Sequence, residues 1–364
     1  MLFDPGRPFD PPPLPPTQDV ETPTVLKAVL RASRRLATLN AACLRVPDPT
    51  LLINLTPIIE AQASSEIENI VTTNDELFRA ARGALEAPSP SVKEALRYRT
   101  ALRVGFDVMS TRPLGFSTAL AVGEQLMGAE VQVRSMPGTF IGNPATGERS
   151  YTPPQGKENI LNHLRQWEQF LHDYEPYDPL VALAMQHYQF EAIHPFYDGN
   201  GRTGRILNLL CLNHFGLLDL PVLYLSGYIL RHKSAYYRLL REVTERAAWQ
   251  EWVLFFMDAV ELTASSSLEL IDAVLTTRDE LDEAIRERHS KMPAADLARL
   301  LTRQPYCRIE DVVNVGLAQR QTASRWLSML AEEGMLRREQ IGRSIIFSNP
   351  VLLARLFENQ LVGS

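Results

Sequence analysis

His194-Pro195-Phe196-Tyr197-Asp198-Gly199-Asn200-Gly201-Arg202-Thr203-Gly204-Arg205 is the stretch of this 364-residue chain densest in reactive side chains. It places a histidine, a carboxylate, three glycines, an asparagine and two arginines between apolar, helix-like flanks. Gly199, Asn200 and Gly201 let the backbone come close to a ligand. A helix starting just after them offers unpaired N–H groups and the positive end of its dipole, which suits a phosphate. Arg202 and Arg205, three residues apart, project from about one helix face and supply charge-assisted donors. Asp198 is an oxygen ligand of the kind Mg²⁺ takes beside a polyphosphate. His194, at the far end of the loop, accepts a proton near neutral pH. Together the residues read as a nucleoside-triphosphate site with a base beside it.

Two other readings fit less well. Gly199-x-Gly201-x-x-Gly204 matches a dinucleotide fingerprint, and Asp219 follows about 20 residues on, but that fingerprint needs a preceding strand. Leu180, Leu183, Ala184, His187 and Phe190 recur instead at helical spacing. His187, Glu191 and His194 share a helix face, yet no second cluster of ligands supports a metal, so packing and hydrogen-bonding roles are expected for them.

Outward from the loop the chain reads as mainly α. Helices are expected over 24–45, 50–70 (whole or interrupted at Pro57), 75–84, 91–110, 116–127, 157–173, 178–193, 202–215, 232–246 and 250–288. Asp48-Pro49 marks a break, and Thr72-Thr73-Asn74-Asp75 a turn and cap. Residues 131–156 change character. Val131, Val133, Phe140 and Ile141 sit among Pro137-Gly138, Gly142-Asn143-Pro144 and Thr146-Gly147, which suggests a hairpin-like flap. Residues 1–23 carry eight prolines and read as an extended arm, packed across its own domain or free. Short helices at 293–303, 308–314 and 319–334, followed by a two-stranded piece through Arg337-Arg338 and Gly342-Arg343, make a winged helix-turn-helix pattern. The division expected is an arm over 1–23, a helical region over 24–90, a catalytic domain over 91–289 and the winged-helix module over 290–364.

Composition excludes some classes. Net charge is −6, which argues against a protein that coats nucleic acid, although 290–364 holds ten Lys/Arg against seven Asp/Glu. Cys43, Cys211 and Cys307 are odd in number and far apart, so a disulfide framework or zinc ribbon is not expected and a reducing cytoplasm fits. No leader and no membrane-spanning segment is expected.

The loop resembles the signature of Fic-domain proteins, His-x-Phe-x-Asp-Gly-Asn-Gly-Arg-x-x-Arg, and matches every fixed position from His194 to Arg205. The resemblance covers roughly 90–250, with a matching helical region before it. It implies transfer of AMP from ATP to a Tyr, Thr or Ser hydroxyl of a target protein or of the chain itself. On that resemblance His194 is the general base and Asp198 holds Mg²⁺. Gly199, Asn200, Gly201, Arg202, Thr203, Gly204 and Arg205 bind the nucleotide, with Arg205 on the γ-phosphate and Tyr236 near the adenosine. The 131–156 flap would clamp the target segment by main-chain pairing. Relatives often form homodimers.

Ser64-x-x-x-Glu68-Asn69 resembles the family's inhibitory motif, Ser/Thr-x-x-x-Glu-Gly/Asn. It implies that Glu68 pairs with Arg205 in place of the γ-phosphate. Alternatives stay open: a glutamate that also aligns water to remove AMP, a kinase-like relative, or an ATP-sensing regulator that binds DNA through 290–350. The kinase-like relatives replace the Gly-Asn-Gly-Arg segment that is intact here, and mere sensing needs no base.

Overall fold

Three helices begin alike. Thr22, Ser89 and Asp178 cap α1 (Pro23–Arg45), α4 (Pro90–Met109) and α7 (Pro179–Ile193), each accepting a backbone N–H on its side chain. A proline follows each cap, at a position whose N–H has no helical partner in any case. Between α1 and α4 run α2 (Thr50–Ile67) and α3 (Asn74–Ala81), the latter opened by a capping box between Thr73 and Glu76. Pro57 does not interrupt α2, which is one helix ending at Ile67. The computed structural model describes residues 3–46, 50–83, 85, 87–143, 146–341 and 344–358. Asp48-Pro49, Pro144 and Gly342-Arg343 lie outside the described residues.

Burial puts α7 and α8 (Asn200–His214) at the centre. Every residue of α7 but Pro179 and Glu191 is buried, as is nearly all of α8, so neither helix has a polar face to turn to water. Around them pack α4, α5 (Phe116–Met127) and α6 (Lys157–His172). The loop that joins α7 to α8 is the quoted stretch. α9 (Leu225–Arg231), a seven-residue helix the periodicity does not pick out, precedes α10 (Lys233–Arg246). α11 (Trp249–Arg288) has forty residues, about 60 Å at helical rise. It lies along α1, and its far end contributes Leu281 and Ile285 to a second apolar cluster with Leu297, Leu301, Val312, Leu327, Leu330 and Phe347.

That second cluster is built on α12 (Ala294–Arg303), β3 (Tyr306–Arg308), α13 (Ile309–Asn314), α14 (Arg320–Glu332) and β5 (Ser344–Ser348), with β4 (Arg337–Ile341) paired to β5 and α15 (Pro350–Glu358) after them. The sheet is antiparallel in the order β3-β5-β4. It therefore has three strands where two were expected, because β3 is three residues long and too short for an alternation signal. The module leans on α3: Arg79 pairs with Glu339 at 2.9 Å, Arg82 with Asp311, and Tyr306 with Asp75.

The flap is β1 (Ile141–Asn143) against β2 (Glu148–Tyr151), antiparallel with an irregularity after Ile141. Val131 and Val133 are not in a strand, since the backbone N–H of Arg134 bonds the Pro195 carbonyl instead of a ladder. The proline-rich arm is extended and packs on its own domain. Phe9 N–H bonds the Thr152 carbonyl at 2.9 Å, Gln189 donates to the Pro12 carbonyl at 3.0 Å, and the rings of Phe3 and Phe9 sit against Tyr151. All three cysteines are free and buried. No helix among the described residues is long and apolar enough to cross a membrane.

Candidate active site

α7 ends in a left-handed residue, His194, with φ of 48°. A non-glycine residue there is held at a cost of about 1–2 kcal/mol, so something must fix it. Arg134, 1% exposed, does so: its Nε donates to the His194 carbonyl at 2.6 Å and a terminal nitrogen donates to the Ile193 carbonyl at 3.1 Å. Its own N–H bonds the Pro195 carbonyl at 3.0 Å, tying the segment that enters the flap to the turn. Burial, with Arg134 adding to it, brings the His194 pKa down to about 4. The imidazole is therefore neutral at physiological pH, the form that accepts a proton. Arg134 is a residue that reading the motif missed.

Gly199 makes the tight entry to α8, with φ of 77°. α8 starts at Asn200 and has no side-chain cap, so the N–H groups of its first turn point out of the helix with no helical partner. The Asn200 side chain is used within the loop: it accepts the Phe196 N–H and donates to the Phe196 carbonyl, each at 2.8 Å. That closure shapes the loop and leaves Asn200 its backbone N–H for a ligand. Arg202 donates to Glu94 of α4 at 2.6 Å, a partner the sequence did not reveal. Thr203 and Gly204 are buried in the α7–α8 contact, where a Cβ on Gly204 would run into Glu191 and Phe190.

Arg205 is 1% exposed and donates three times to α2 and its end. Nε meets Ser64 Oγ at 2.8 Å, and a terminal nitrogen meets the Ser64 carbonyl at 3.0 Å and Glu68 Oε1 at 2.8 Å. Burial pushes the Glu68 carboxyl up, but Arg205 outweighs it and the group lies below its ordinary value. A Cβ on Gly201 would strike the Glu68 carboxylate, so the glycine is what lets that side chain reach the loop. Asn69, just past α2, is left-handed, and its side chain accepts from Lys233 at 3.3 Å. A cavity of about 370 Å³ opens here, lined by Glu68, Ile70, Glu94, His194, Tyr197 and the residues from Asp198 to Arg202. Tyr197 reaches to the flap entry, its hydroxyl accepting the N–H groups of Ser135 and Met136. Tyr236 does not line the cavity. It is 1% exposed and its hydroxyl bonds His187 at 2.7 Å.

His187, Glu191 and His194 do not form a metal cluster, and no group of three His, Cys, Asp or Glu among the described residues does. Asp198 differs. Its side chain is 69% exposed at the cavity, with Oδ1 accepting the Gly199 N–H at 2.6 Å. One outward carboxylate is the donor set Mg²⁺ takes when phosphates and water complete its shell, so the residues present fit that ion.

Comparison with known proteins agrees with this geometry. Family models described as Fic/DOC family N-terminal, Fic/DOC family, and protein adenylyltransferase SoFic-like C-terminal domain match residues 26–107, 116–212 and 278–352. A protein adenylyltransferase Fic of Aedes aegypti is 33% identical over 108 residues, which are 29% of this chain and 19% of the relative. A probable protein adenylyltransferase of Aquifex aeolicus is 35% identical over 95 residues, 26% of each. The chain thus spans about a fifth to a quarter of the length of these curated relatives. The crystal structure of a Fic family protein from Desulfovibrio desulfuricans G20 shares the fold at 22% identity, covering 92% of this chain and 98% of that one with a TM-score of 0.59. Fic-1 of C. elegans (residues 134–508) does so at 18% identity, covering 68% and 75%, with a TM-score of 0.53. With the signature loop closed over its own cavity and three models of one family in chain order, this chain belongs to the Fic/DOC family.

Proposed function

We propose that the chain transfers AMP from ATP to a hydroxyl of a target protein or of itself, and that Glu68 holds this activity in check. The observation that carries the reading is the contact of Glu68 with Arg205 beside a half-buried His194 on the wall of the same cavity. In the reaction His194 takes the proton of a Tyr, Thr or Ser hydroxyl. The hydroxyl oxygen bonds the α-phosphorus as the bond from that phosphorus to the bridging oxygen breaks, and pyrophosphate leaves with the electron pair. The uncapped first turn of α8 receives phosphate oxygens, and Arg202 and Arg205 neutralise the departing phosphates. Asp198 would hold Mg²⁺, which when bound supplies further neutralisation of phosphate charge. Loop closure by Asn200 and Arg134 fixes these groups before substrate arrives, which is where most of the rate comes from when chemistry is positioning and one proton transfer.

Glu68 competes for the guanidinium that the γ-phosphate needs. Its place on the cavity wall supports a second reading, in which it also orients water to remove AMP. The flap would take the target segment. In the 290–364 module Arg320, Arg325, Arg337 and Arg338 are all exposed; Arg320 is paired with Glu310 at 2.7 Å, and the other three are the arginines proposed to meet a DNA duplex. A salt-dependent shift of duplex DNA by the full chain, lost when the three are changed to alanine, tests that part. Incubation with ATP labelled at the α or at the γ position tests the main reading. Adenylyl transfer retains only the α label, phosphoryl transfer only the γ label, and a sensor neither. His194→Ala is expected to abolish retention, and γ-label retention overturns the proposal.

A further inference from the structure

The inhibitory contact needs α2 at one rotation and one height, and Glu60 is placed to set both. Glu60, Ser64 and Glu68 follow at spacings of four, so they lie along one face of the helix and its end. Glu60 is a carboxyl 1% exposed, yet among the described residues no ion pair holds it. Its Oε1 accepts the Tyr98 hydroxyl at 2.9 Å and the Ser226 hydroxyl at 2.5 Å, and its Oε2 accepts the Ser226 N–H at 3.0 Å. Tyr98 and Ser226 are themselves 0% exposed, one on α4 and the other on α9. A buried carboxyl is costly unless its lone pairs are filled, and here three donors from two separate helices fill them. Slipping α2 by one residue turns its faces by about 100° and would strip those bonds from Glu60 while taking Glu68 away from Arg205. An apolar residue at 60 would fill the same volume without specifying either setting.

We infer that Glu60 is a positioning residue for the inhibitory contact: its bonds to Tyr98 and Ser226 fix the rotation and height of α2 so that Ser64 and Glu68 meet Arg205. It touches neither nucleotide nor target. The inference rests on the reading of Glu68 as a brake. Glu60→Gln tests it, because the amide nitrogen of glutamine meets another donor when it faces the Ser226 N–H and forces the Tyr98 and Ser226 hydroxyls to reverse when it faces them. In the full chain, incorporation of α-labelled AMP should rise on the order of tenfold in Glu60→Gln, and less, in the same direction, in Tyr98→Phe. The double variant Glu60→Gln/Glu68→Gly should label no more than Glu68→Gly alone, because no brake is left to release and Ser64 is then held less firmly against Arg205. Wild-type labelling by Glu60→Gln beside raised labelling by Glu68→Gly overturns the positioning role and leaves the brake standing. Unchanged labelling by Glu68→Gly removes the brake first. A Glu60→Gln effect that persists undiminished in the Glu68→Gly background means general loosening and also overturns the role. Should Glu60→Gln fail to fold, Tyr98→Phe and Ser226→Ala carry the same test, with thermal denaturation confirming their fold.

Discussion

Glu68→Gly removes one of the three bonds that hold the Arg205 guanidinium. The bond is 2.8 Å long and joins two charges, with Arg205 1% exposed and Glu68 35% exposed. A hydrogen bond between charged groups contributes about 1.5–3 kcal/mol, and partial exposure of Glu68 places this one near 2 kcal/mol. At about 1.4 kcal/mol per factor of ten, removal of the competitor favours the γ-phosphate at Arg205 by roughly 30-fold. The bonds from Arg205 to the Ser64 hydroxyl and carbonyl survive, so the guanidinium keeps its place. Initial rates with α-labelled ATP and Mg²⁺, for wild type, Glu68→Gln and Glu68→Gly, measure the effect. The glutamine variant is expected between the other two, since it keeps the side-chain length and loses the charge. Adding His194→Ala to Glu68→Gly should return the rate to background. Equal rates in wild type and Glu68→Gly would refute the competition argument, whatever the absolute activity.

The remaining expectations concern protons and the loop. With its pKa at about 4, His194 is in its base form throughout the neutral range, so the rate of the Glu68→Gly enzyme should stay level from pH 8 down to about 5.5 and fall only below that; a half-loss near the ordinary histidine value of about 6.5 would sink the burial argument. His187 is 0% exposed and its pKa is lowered by burial to about 3. The unfolded chain therefore binds this proton first: stability is full above about pH 6.5 and falls by up to about 1.4 kcal/mol per pH unit below it, a slope that urea unfolding should show flattened in His187→Gln. Asn200→Ala removes two bonds of 2.8 Å within the loop and should lower unfolding free energy by about 2 kcal/mol along with activity; unchanged stability would mean the loop closes without them.

Periodicity and punctuation made most of the fold readable. α5 and α7 end where Gly128 and the left-handed turn at His194 stop them, and the Thr, Ser and Asp caps ahead of proline mark where α1, α4 and α7 begin. What stayed hidden was short or distant. α9 and β3 have seven and three residues, less than two full helical turns or a useful alternation. Glu94 sits 108 residues from the arginine it binds, and Arg134 60 from the carbonyl it holds. Neither separation leaves a trace in local pattern. The loop's own chemistry was legible because its residue types are crowded into twelve positions, whereas the side chains that orient them come from α4 and the flap entry.

On the proposed reading, inhibition and assembly of the site use the same helix. Ser64 gives Arg205 two bonds, and Glu68 gives it one. The Ser64 contacts hold the guanidinium buried beside Glu68, which lines the cavity. In the competition proposed above, it is the Glu68 contact that takes the place of a phosphate. On that reading α2 and its end prepare Arg205 with one residue and block it with another, four positions apart. Deleting the helix would remove both effects, whereas a change confined to Glu68 separates them. This division explains why a buried acid such as Glu60 belongs on that helix. A brake that also positions the catalytic arginine must be held to a definite rotation, and apolar packing alone leaves rotation poorly specified.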